Sequence, residues 1–386
     1  MTASSGAWGS AGRTATHRRA TEAVSARLVA GTGRTRTRMG EVPAFAEGLY
    51  EVAPDTFAWL VPNGSWGETN LGLVRGEGES ALIDTCWDLA CMREMLAHSE
   101  PVWRRDPIRH VVNTHADGDH CWGNQLFADQ HVVATRACVA QMHHHTPGQL
   151  RALQWASRLA QHVPVAGVDA LGRYMGDMLR PYRFSGVVPT PATHVFEGQC
   201  VLDVGGVALH LQEVGPGHTD GDCWVHLPDR DVVFAGDILF VGVTPVAWAG
   251  PVSNLVQALQ RLLALGARVV VPGHGPLATP TDIQAQIDYW QWLQTTLRPM
   301  ARAGQTVDEA SRACLQASSF RRSPFARWAA PERLFTSACT LYREWGLPVG
   351  RFSGVAASLD HFRRQALLQP RGGPHPDPRS GGSPPT

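Results

Sequence analysis

The chain has 386 residues, a hydrophobic content of 44% and a formal net charge of +0. It is long enough to bury one large core, and its balanced charge excludes a global field that would draw it to nucleic acid or anionic membranes. All 34 basic residues are arginines that seldom cluster, which is typical of a GC-rich coding sequence rather than of phosphate recognition. No apolar run approaches the roughly 20 residues that a membrane helix needs, so no membrane partner is expected.

The first 38 residues form a basic segment in which Glu22 is the only acid. They lack the apolar core of a secretory signal, which leaves a disordered leader, an organelle transit peptide or a start-site artefact open. We expect disorder here, with ordered structure beginning at Met39. The eight cysteines show no CxxC spacing, so without a secretion signal they predict reduced thiols in a cytoplasmic protein.

Short apolar runs dominate the next part of the chain and predict strands. They lie at 49–52, 57–61, 71–74, 81–84, 108–112 and 131–134, with one helix predicted at 89–98. The turn-rich loop at 62–67 joins two of these strands and carries Trp66.

Four potential metal ligands fall within six residues directly after the run at 108–112. They are His115, Asp117, Asp119 and His120. Ligands crowded where a strand ends suit a hydrolytic metal site, because the strand gives them a rigid base.

A helical insertion is predicted within about residues 140–190, since 149–179 has helical periodicity. The tract His143-His144-His145 beside it is suggestive of a metal site. Three consecutive residues cannot share one helical face, however, and a solvated loop is favoured.

Three later segments repeat the arrangement of strand, glycine-containing turn and single ligand. His218 follows the run at 207–214, Asp237 follows 231–234, and His274 follows 269–271. Strands of one sheet that deliver ligands from the same ends build a site at the edge of that sheet. Further helices are predicted at 252–265, 281–302, 306–317 and 336–345.

This order of segments resembles the metallo-β-lactamase-fold superfamily and its glyoxalase-II-like hydrolases. There a His-x-His-x-Asp-His motif is followed by a lone His, a Gly-Asp and a final Gly-His. The resemblance covers about residues 48 to 300 and implies an α/β fold, an αββα sandwich of two mixed sheets with helices outside. It divides the chain into a leader (1–38), a main domain (39–300) with the helical insertion, a C-terminal helical extension (301–368) and a disordered Pro-, Gly- and Ser-rich tail (369–386).

The resemblance also implies a ligand set for two divalent metal ions. One ion would be held by His115, position 117 and His218; the other by Asp119, His120 and His274, with Asp237 bridging. Asp119 would also act in catalysis by orienting the nucleophilic water. Asp84 would accept a hydrogen bond that orients the motif, and Trp66 and Trp248 would form walls for the substrate.

One departure concerns Asp117, which stands where the family motif has its second His. A carboxylate adds a negative charge and a harder oxygen donor, which favours iron or manganese relative to zinc. Flavodiiron proteins of similar fold carry a Glu at this position and bind iron, but their flavodoxin-like domain has no counterpart here. Zinc is therefore the metal we expect first, and iron is the main alternative.

The function that follows is hydrolysis, by a metal-activated water, of an ester, thioester or lactone bond in a small molecule. Asp237 argues against a β-lactamase in the narrow sense, because several groups of those enzymes have Cys there. The alternatives are a polyketide cyclase or thioesterase of secondary metabolism, a diiron oxygen-activating enzyme, and a metal-poor binding protein on the same fold. We expect no nucleic-acid partner, and a homo-oligomer stays open.

Overall fold

Two β-sheets form the centre of the computed structural model, which describes residues 26–63, 66–142, 146–165, 167–349 and 354–369. The first sheet has eight strands that neighbour one another in chain order. They are β1 (Arg27–Gly31), β2 (Gly48–Ala53), β3 (Thr56–Leu60), β4 (Leu71–Arg75), β5 (Ser80–Ile83), β6 (Ile108–Val112), β7 (His131–Thr135) and β8 (His194–Phe196).

The second sheet has five strands in the order β13-β12-β11-β10-β9. They are β9 (Gln199–Val204), β10 (Val207–Glu213), β11 (Cys223–Leu227), β12 (Val232–Phe240) and β13 (Val269–His274). Both sheets are mixed: β5 to β8 and the pair β12–β13 are parallel, and the other pairs are antiparallel.

Eleven α-helices lie around the sheets in the described part of the chain. They are α1 (Leu89–Trp103), α2 (Gly118–Cys121), α3 (Arg136–Gln141), α4 (Pro147–Ala160), α5 (Val168–Leu179), α6 (Val252–Leu265), α7 (Pro280–Arg302), α8 (Val307–Gln316), α9 (Ser318–Arg321), α10 (Leu334–Glu344) and α11 (Val355–Ala366). Short 3₁₀ turns occupy Trp122–Phe127, Pro228–Arg230, Pro324–Arg327 and Pro331–Arg333. No helix in the described segments combines the length and apolarity that spanning a membrane requires.

Three apolar layers hold these elements together, as the predicted αββα sandwich requires. The middle layer joins the facing sides of the two sheets, for example Val112 of β6 and Phe234 of β12. One outer layer packs α1 and the insertion helices on the first sheet, and the other packs α6, α7 and α10 on the second. The sequence-based fold class is therefore confirmed.

Regular secondary structure begins earlier in the chain than the composition of the first 38 residues indicated. We predicted disorder up to residue 38, whereas β1 lies within that segment and pairs antiparallel with β2. Charge supports the pairing, because Arg34 and Arg38 both bind the buried carboxylate of Glu47, at 2.8 and 3.3 Å. Residues 1–25 lie outside the described residues, as do His143–His145 and the tail from 370.

The helical insertion contains two helices, α4 and α5. Gly167, with a left-handed φ of 90°, caps α5, so the predicted helical stretch 149–179 is interrupted before it. Tyr174 and Met175 of α5 are buried, whereas Trp155 of α4 is 65% exposed. Only part of the apolar pattern therefore packs into the core.

The C-terminal extension contains two helices that the sequence analysis did not find, the short α9 and the longer α11. We predicted a last helix at 336–345, which corresponds to α10, but α11 follows it. Its segment is weakly apolar and carries several charges. Its stability comes from packing against α5 and α10, which no local pattern reveals.

Candidate metal centre

The candidate ligands lie where strands of the two sheets end beside one another. The motif from His115 to His120 follows β6 and runs into α2, while His218 lies after β10. Asp237 lies within β12, which extends to Phe240 instead of ending at residue 234 as predicted, and His274 is the last residue of β13. The parallel pairing of β12 and β13 sets Asp237 and His274 at one edge.

Two glycines make this close approach possible. A Cβ atom on Gly273 would lie 1.9 Å from Oδ1 of Asp237, so no other residue fits without moving the carboxylate. Gly236 has a φ of +53°, and a Cβ there would lie 2.5 Å from Oγ1 of Thr114. The Gly-Asp and Gly-His dipeptides are therefore steric requirements of this edge.

Among the described residues, two groups of side chains could each hold a metal ion. The first is His115, His218 and Asp237; the second is Asp119, His120 and His274, with the ligand atoms of each group within 4.8 Å of one another. Asp237 reaches both groups: its Oδ1 lies 3.2 Å from Nε2 of His120, and its Oδ2 lies 3.3 Å from Nε2 of His218. Asp237 therefore contacts both groups, through a different oxygen for each.

In each of the four histidines, Nδ1 is the ring nitrogen that faces away from the centre, and it lies within hydrogen-bond distance of an oxygen atom. Nδ1 of His218 lies 2.7 Å from the Val246 carbonyl oxygen, and Nδ1 of His274 lies 3.0 Å from that of Glu68. Because carbonyl oxygens only accept hydrogen bonds, both Nδ1 atoms carry the proton. Each Nε2 atom is then left with a lone pair that faces the centre.

Asp84 fixes the other two imidazoles. Its Oδ2 lies 2.9 Å from Nδ1 of His120 and accepts the Thr114 hydroxyl at 2.7 Å. Since that hydroxyl proton is committed to Asp84, the Thr114 oxygen accepts from Nδ1 of His115, 3.0 Å away. The resemblance implied that Asp84 orients the motif, and this stays a prediction that its contacts with Thr114 and His120 support.

Three of the atoms that face the centre lack a hydrogen-bond partner. Nε2 of His115, Nε2 of His120 and Oδ1 of Asp237 are buried without a hydrogen bond. Buried polar atoms left unpaired cost about 1–3 kcal/mol each, and more when they are charged. Three such atoms, with nitrogen lone pairs and a carboxylate converging, fit a divalent metal ion of the zinc, iron or manganese type.

Charge in the cluster favours a cation. Burial lowers the pKa of His218, but the hydrogen bond with Asp117 and the charge of Asp237 outweigh it and raise that pKa to about 10. For Asp237, burial raises the pKa, but His274, His120 and His115 outweigh this and lower it well below its usual range. The carboxylates thus stabilise a positive charge at the Nε2 atoms of the imidazoles. A bound metal ion supplies that charge in place of the protons.

Asp117 is more exposed than the residues of the two groups and belongs to neither of them. Its Oδ2 is 3.1 Å from Nε2 of His218 and 3.9 Å from Nε2 of His115, and its side chain is 31% exposed. Burial raises the pKa of Asp117, but the hydrogen bond with His218 outweighs it and lowers that pKa below its usual range. An ionised carboxylate therefore stands beside the first group.

Two residues beside the ligands were missed by sequence reasoning. Thr69 donates its hydroxyl to Oδ2 of Asp119 at 2.8 Å, and nothing in its local sequence marks it. Asp222 accepts the backbone N–H and hydroxyl of Thr219 at 2.9 and 2.6 Å, which braces the turn after His218. Burial raises the pKa of Asp222 to about 6. The acid-rich segment from His218 to Asp222 was a signal for it.

The two candidate substrate-wall tryptophans lie on loops attached to ligands. Trp66 is two residues before Glu68, whose carbonyl holds His274. Trp248 donates its backbone N–H to the carbonyl oxygen of His218 at 2.9 Å. Both side chains are only partly buried.

Comparison with known proteins agrees with this geometry. The family described as the metallo-beta-lactamase superfamily matches residues 64–274, which is more than half of the chain. A metallo-beta-lactamase family protein of Thermus thermophilus has the same fold, with a TM-score of 0.55 and 22% identity over 77% of this chain and 95% of that chain.

Two curated relatives have lower coverage. The probable metallo-hydrolase YqgX of Bacillus subtilis is 33% identical over 26% of this chain, which spans only 48% of that relative. The acyl-coenzyme A thioesterase MBLAC2 of Homo sapiens is 27% identical over 54% of this chain and 74% of its own length.

Proposed function

The chain belongs to the metallo-β-lactamase superfamily, and we propose that it is a hydrolase that cleaves ester, thioester or lactone bonds of a small molecule with two divalent metal ions. The observation that carries this proposal is the position of Asp237. Its two oxygens face the two ligand groups, at 3.2 Å from His120 and 3.3 Å from His218. A carboxylate shared between two groups of imidazoles is suited to a dinuclear hydrolytic centre.

The ligand chemistry supports hydrolysis over a structural role for the metals. Each group offers three protein ligands and includes no cysteine, whereas structural zinc sites are closed by four ligands and are usually rich in Cys. Similarity to an acyl-coenzyme A thioesterase supports a thioester or ester substrate over a β-lactam. Zinc is the metal we propose first, with iron or manganese as alternatives because of Asp117.

Each protein group has a defined task in the proposed reaction. A bound metal pair supplies Lewis acidity and lowers the pKa of a water molecule to about 7. His115, His218 and Asp237 would hold one ion, and Asp119, His120 and His274 the other. Asp84 and the carbonyls of Val246 and Glu68 keep the imidazoles in the tautomer that presents Nε2.

Asp119 is proposed to orient the nucleophilic water and to return a proton to the leaving group. Thr69 binds its Oδ2, which fixes the carboxylate in rotation and leaves Oδ1 for the water. Burial raises the pKa of Asp119, which brings the carboxylate closer to the range where it exchanges a proton during turnover.

The test is turnover by protein loaded with zinc, iron or manganese. Acetyl- and decanoyl-coenzyme A, p-nitrophenyl acetate and a γ-lactone form the substrate panel, and metal content is measured on protein purified without added metal. We expect thioester or ester hydrolysis with about two metal ions per chain, and Asp119→Asn lowering kcat by about 100-fold or more. Asp88→Asn, which alters a buried carboxylate that caps α1, is the matched control.

Absence of hydrolysis at full metal loading would overturn the proposal. Oxygen consumption by an iron-loaded protein would favour the diiron alternative, and low metal content without turnover would favour a binding protein. The eight cysteines are free thiols, in keeping with the cytoplasmic location that we propose for this enzyme.

A further inference from the structure

Helix α11 connects the two loops that carry the candidate substrate-wall tryptophans. The ring of Phe362, on α11, lies 4.8 Å from that of Trp66 and 6.4 Å from that of Trp248, between centroids. Phe362 is 9% exposed. A single C-terminal aromatic side chain therefore contacts two residues that are distant from it in the sequence.

Both loops are parts of the metal centre itself. The loop of Trp66 continues to Glu68 and Thr69, which bind His274 and Asp119. The loop of Trp248 continues from Val246, and it is hydrogen-bonded to His218 through both Val246 and Trp248. Each tryptophan is therefore within two residues of a group that is hydrogen-bonded to a candidate ligand.

Polar contacts on three sides fix α11 in this position. Nε2 of His361 lies 2.7 Å from Oγ1 of Thr336 on α10. Gln365 donates to the hydroxyl of Tyr174 on α5 at 2.7 Å, and Arg364 is paired with Asp308 on α8. Because these contacts come from three different helices, α11 is held as a rigid wall.

We propose that Phe362, together with Trp66 and Trp248, forms the surface that contacts the apolar acyl part of the substrate and limits its length. This inference rests on the proposed hydrolase function and names its substrate class, esters or thioesters of apolar acids. Aromatic rings offer large apolar area, and each methylene that they take from water contributes about a fourfold gain in binding. The ring of Phe362 packs on both tryptophans, so its size sets how much apolar space is left beside them for the acyl chain.

The test uses zinc-loaded protein and N-acetylcysteamine thioesters of acetate, butyrate, hexanoate and decanoate. Phe362→Ala removes the ring and leaves apolar space beside the tryptophans, so we expect the ratio of kcat/KM for decanoyl over acetyl to rise by about tenfold, through KM for the long chain. Phe362→Trp adds side-chain volume at the same place and should lower the same ratio. Phe362→Leu keeps most of the side-chain volume and serves where the alanine variant does not fold.

Phe320→Ala is the matched control. Phe320 is also in the C-terminal extension and is 8% exposed, but it packs on Trp292, 5.6 Å away, in the other outer layer. It should lower stability and leave the chain-length ratio unchanged. An equal ratio in wild type, Phe362→Leu and Phe362→Trp would overturn the inference, as would an equal change in Phe320→Ala.

A second measurement separates this inference from the proposed function. Calorimetric titration with decanoate and with acetate, the acids that hydrolysis would release, needs no turnover. Tighter decanoate binding by Phe362→Ala, with acetate binding unchanged, would support the proposed role of Phe362. It would do so even if the wild type hydrolysed no thioester, a result that would overturn only the proposed hydrolase function. Equal decanoate affinity in all variants would overturn the wall while leaving the hydrolase proposal intact.

Discussion

Oδ2 of Asp84 lies 2.9 Å from Nδ1 of His120, and this contact ties the end of β5 to the metal-binding motif. Asp84 has a left-handed φ of 60°, which turns its carboxylate back toward the motif. Its other oxygen accepts the backbone N–H of Thr114 at 2.7 Å. One buried carboxylate thus fixes both an imidazole and the backbone on which the motif begins.

Replacing Asp84 with Asn should weaken metal binding without changing the backbone conformation of the turn. Asparagine tolerates a positive φ, but its amide lacks the charge and one of the acceptors that His120 and Thr114 use. We expect the metal affinity to fall by about 10- to 100-fold, as measured by titration against a chelator. Asp88→Asn is the control, because Asp88 is equally buried but binds the backbone N–H groups of Cys91 and Arg183 instead. Equal loss in both variants would contradict an orienting role for Asp84.

Single-ligand variants should separate the two groups. His274 belongs with Asp119 and His120, so His274→Ala should lose most of the ion held there and keep most of the other. His218→Ala should do the reverse. Metal content of each variant, with the retained ion located spectroscopically after cobalt substitution, checks this expectation. Unchanged metal content in His274→Ala would show that His274 is not a ligand.

The sequence predicted the parts of the site that local chemistry dictates. Five of the six residues in the two ligand groups follow or end an apolar strand, and Asp237 lies within one. Gly273 stands where a Cβ atom would collide with Asp237. The αββα sandwich followed from the same alternation and is confirmed.

The parts that sequence could not predict depend on contacts between distant segments. Thr69 is hydrogen-bonded to Asp119, from which it is separated by 50 positions in the sequence, and no local sequence pattern indicates such a pair. Helix α11 is stabilised by the hydrogen bonds of its Gln365 with Tyr174 and Thr336. Strand β1 was missed because its composition favours disorder, while its pairing with β2 and the ion pairs to Glu47 outweigh that preference.

The packing of α11 should depend on pH through His361. Burial, and then the charges of Arg364 and Arg343, lower the pKa of His361 to about 3, despite the opposing Asp360 and Asp308. In the unfolded chain it returns to about 6.5. The folded state therefore binds fewer protons below that value, so this contribution to stability is complete above pH 6.5 and is lost as the pH falls toward 3.

The measurement is the free energy of unfolding at pH 7.5 and pH 5 for wild type and His361→Gln. The neutral amide keeps a partner for Thr336 but does not titrate in this range. Wild type should lose about 2 kcal/mol more than the variant between the two pH values. Equal losses would mean that His361 is accessible to protons in the folded state. Comparing the two proteins removes the contributions of all other titrating groups.

Asp117 adds a negative charge beside the first ligand group. With Asp117, Asp119 and Asp237 ionised, the centre holds three carboxylates, and a His at position 117 would leave two. Since Oδ2 of Asp117 lies 3.1 Å from Nε2 of His218, its charge acts directly on that ligand. Asp117→His should therefore bind zinc more tightly, by about tenfold, because an imidazole replaces a hard oxygen donor.

The same substitution should move the pH profile of hydrolysis. Removing one negative charge makes the nucleophilic water more acidic, so the acidic limb of kcat/KM should shift downward by about one pH unit. Asp117→Asn removes the charge without adding a nitrogen ligand, so it should shift the limb while leaving zinc affinity lower than in Asp117→His. If neither zinc affinity nor the acidic limb changes in Asp117→His, Asp117 is not a ligand. Its role is then confined to the hydrogen bond with His218.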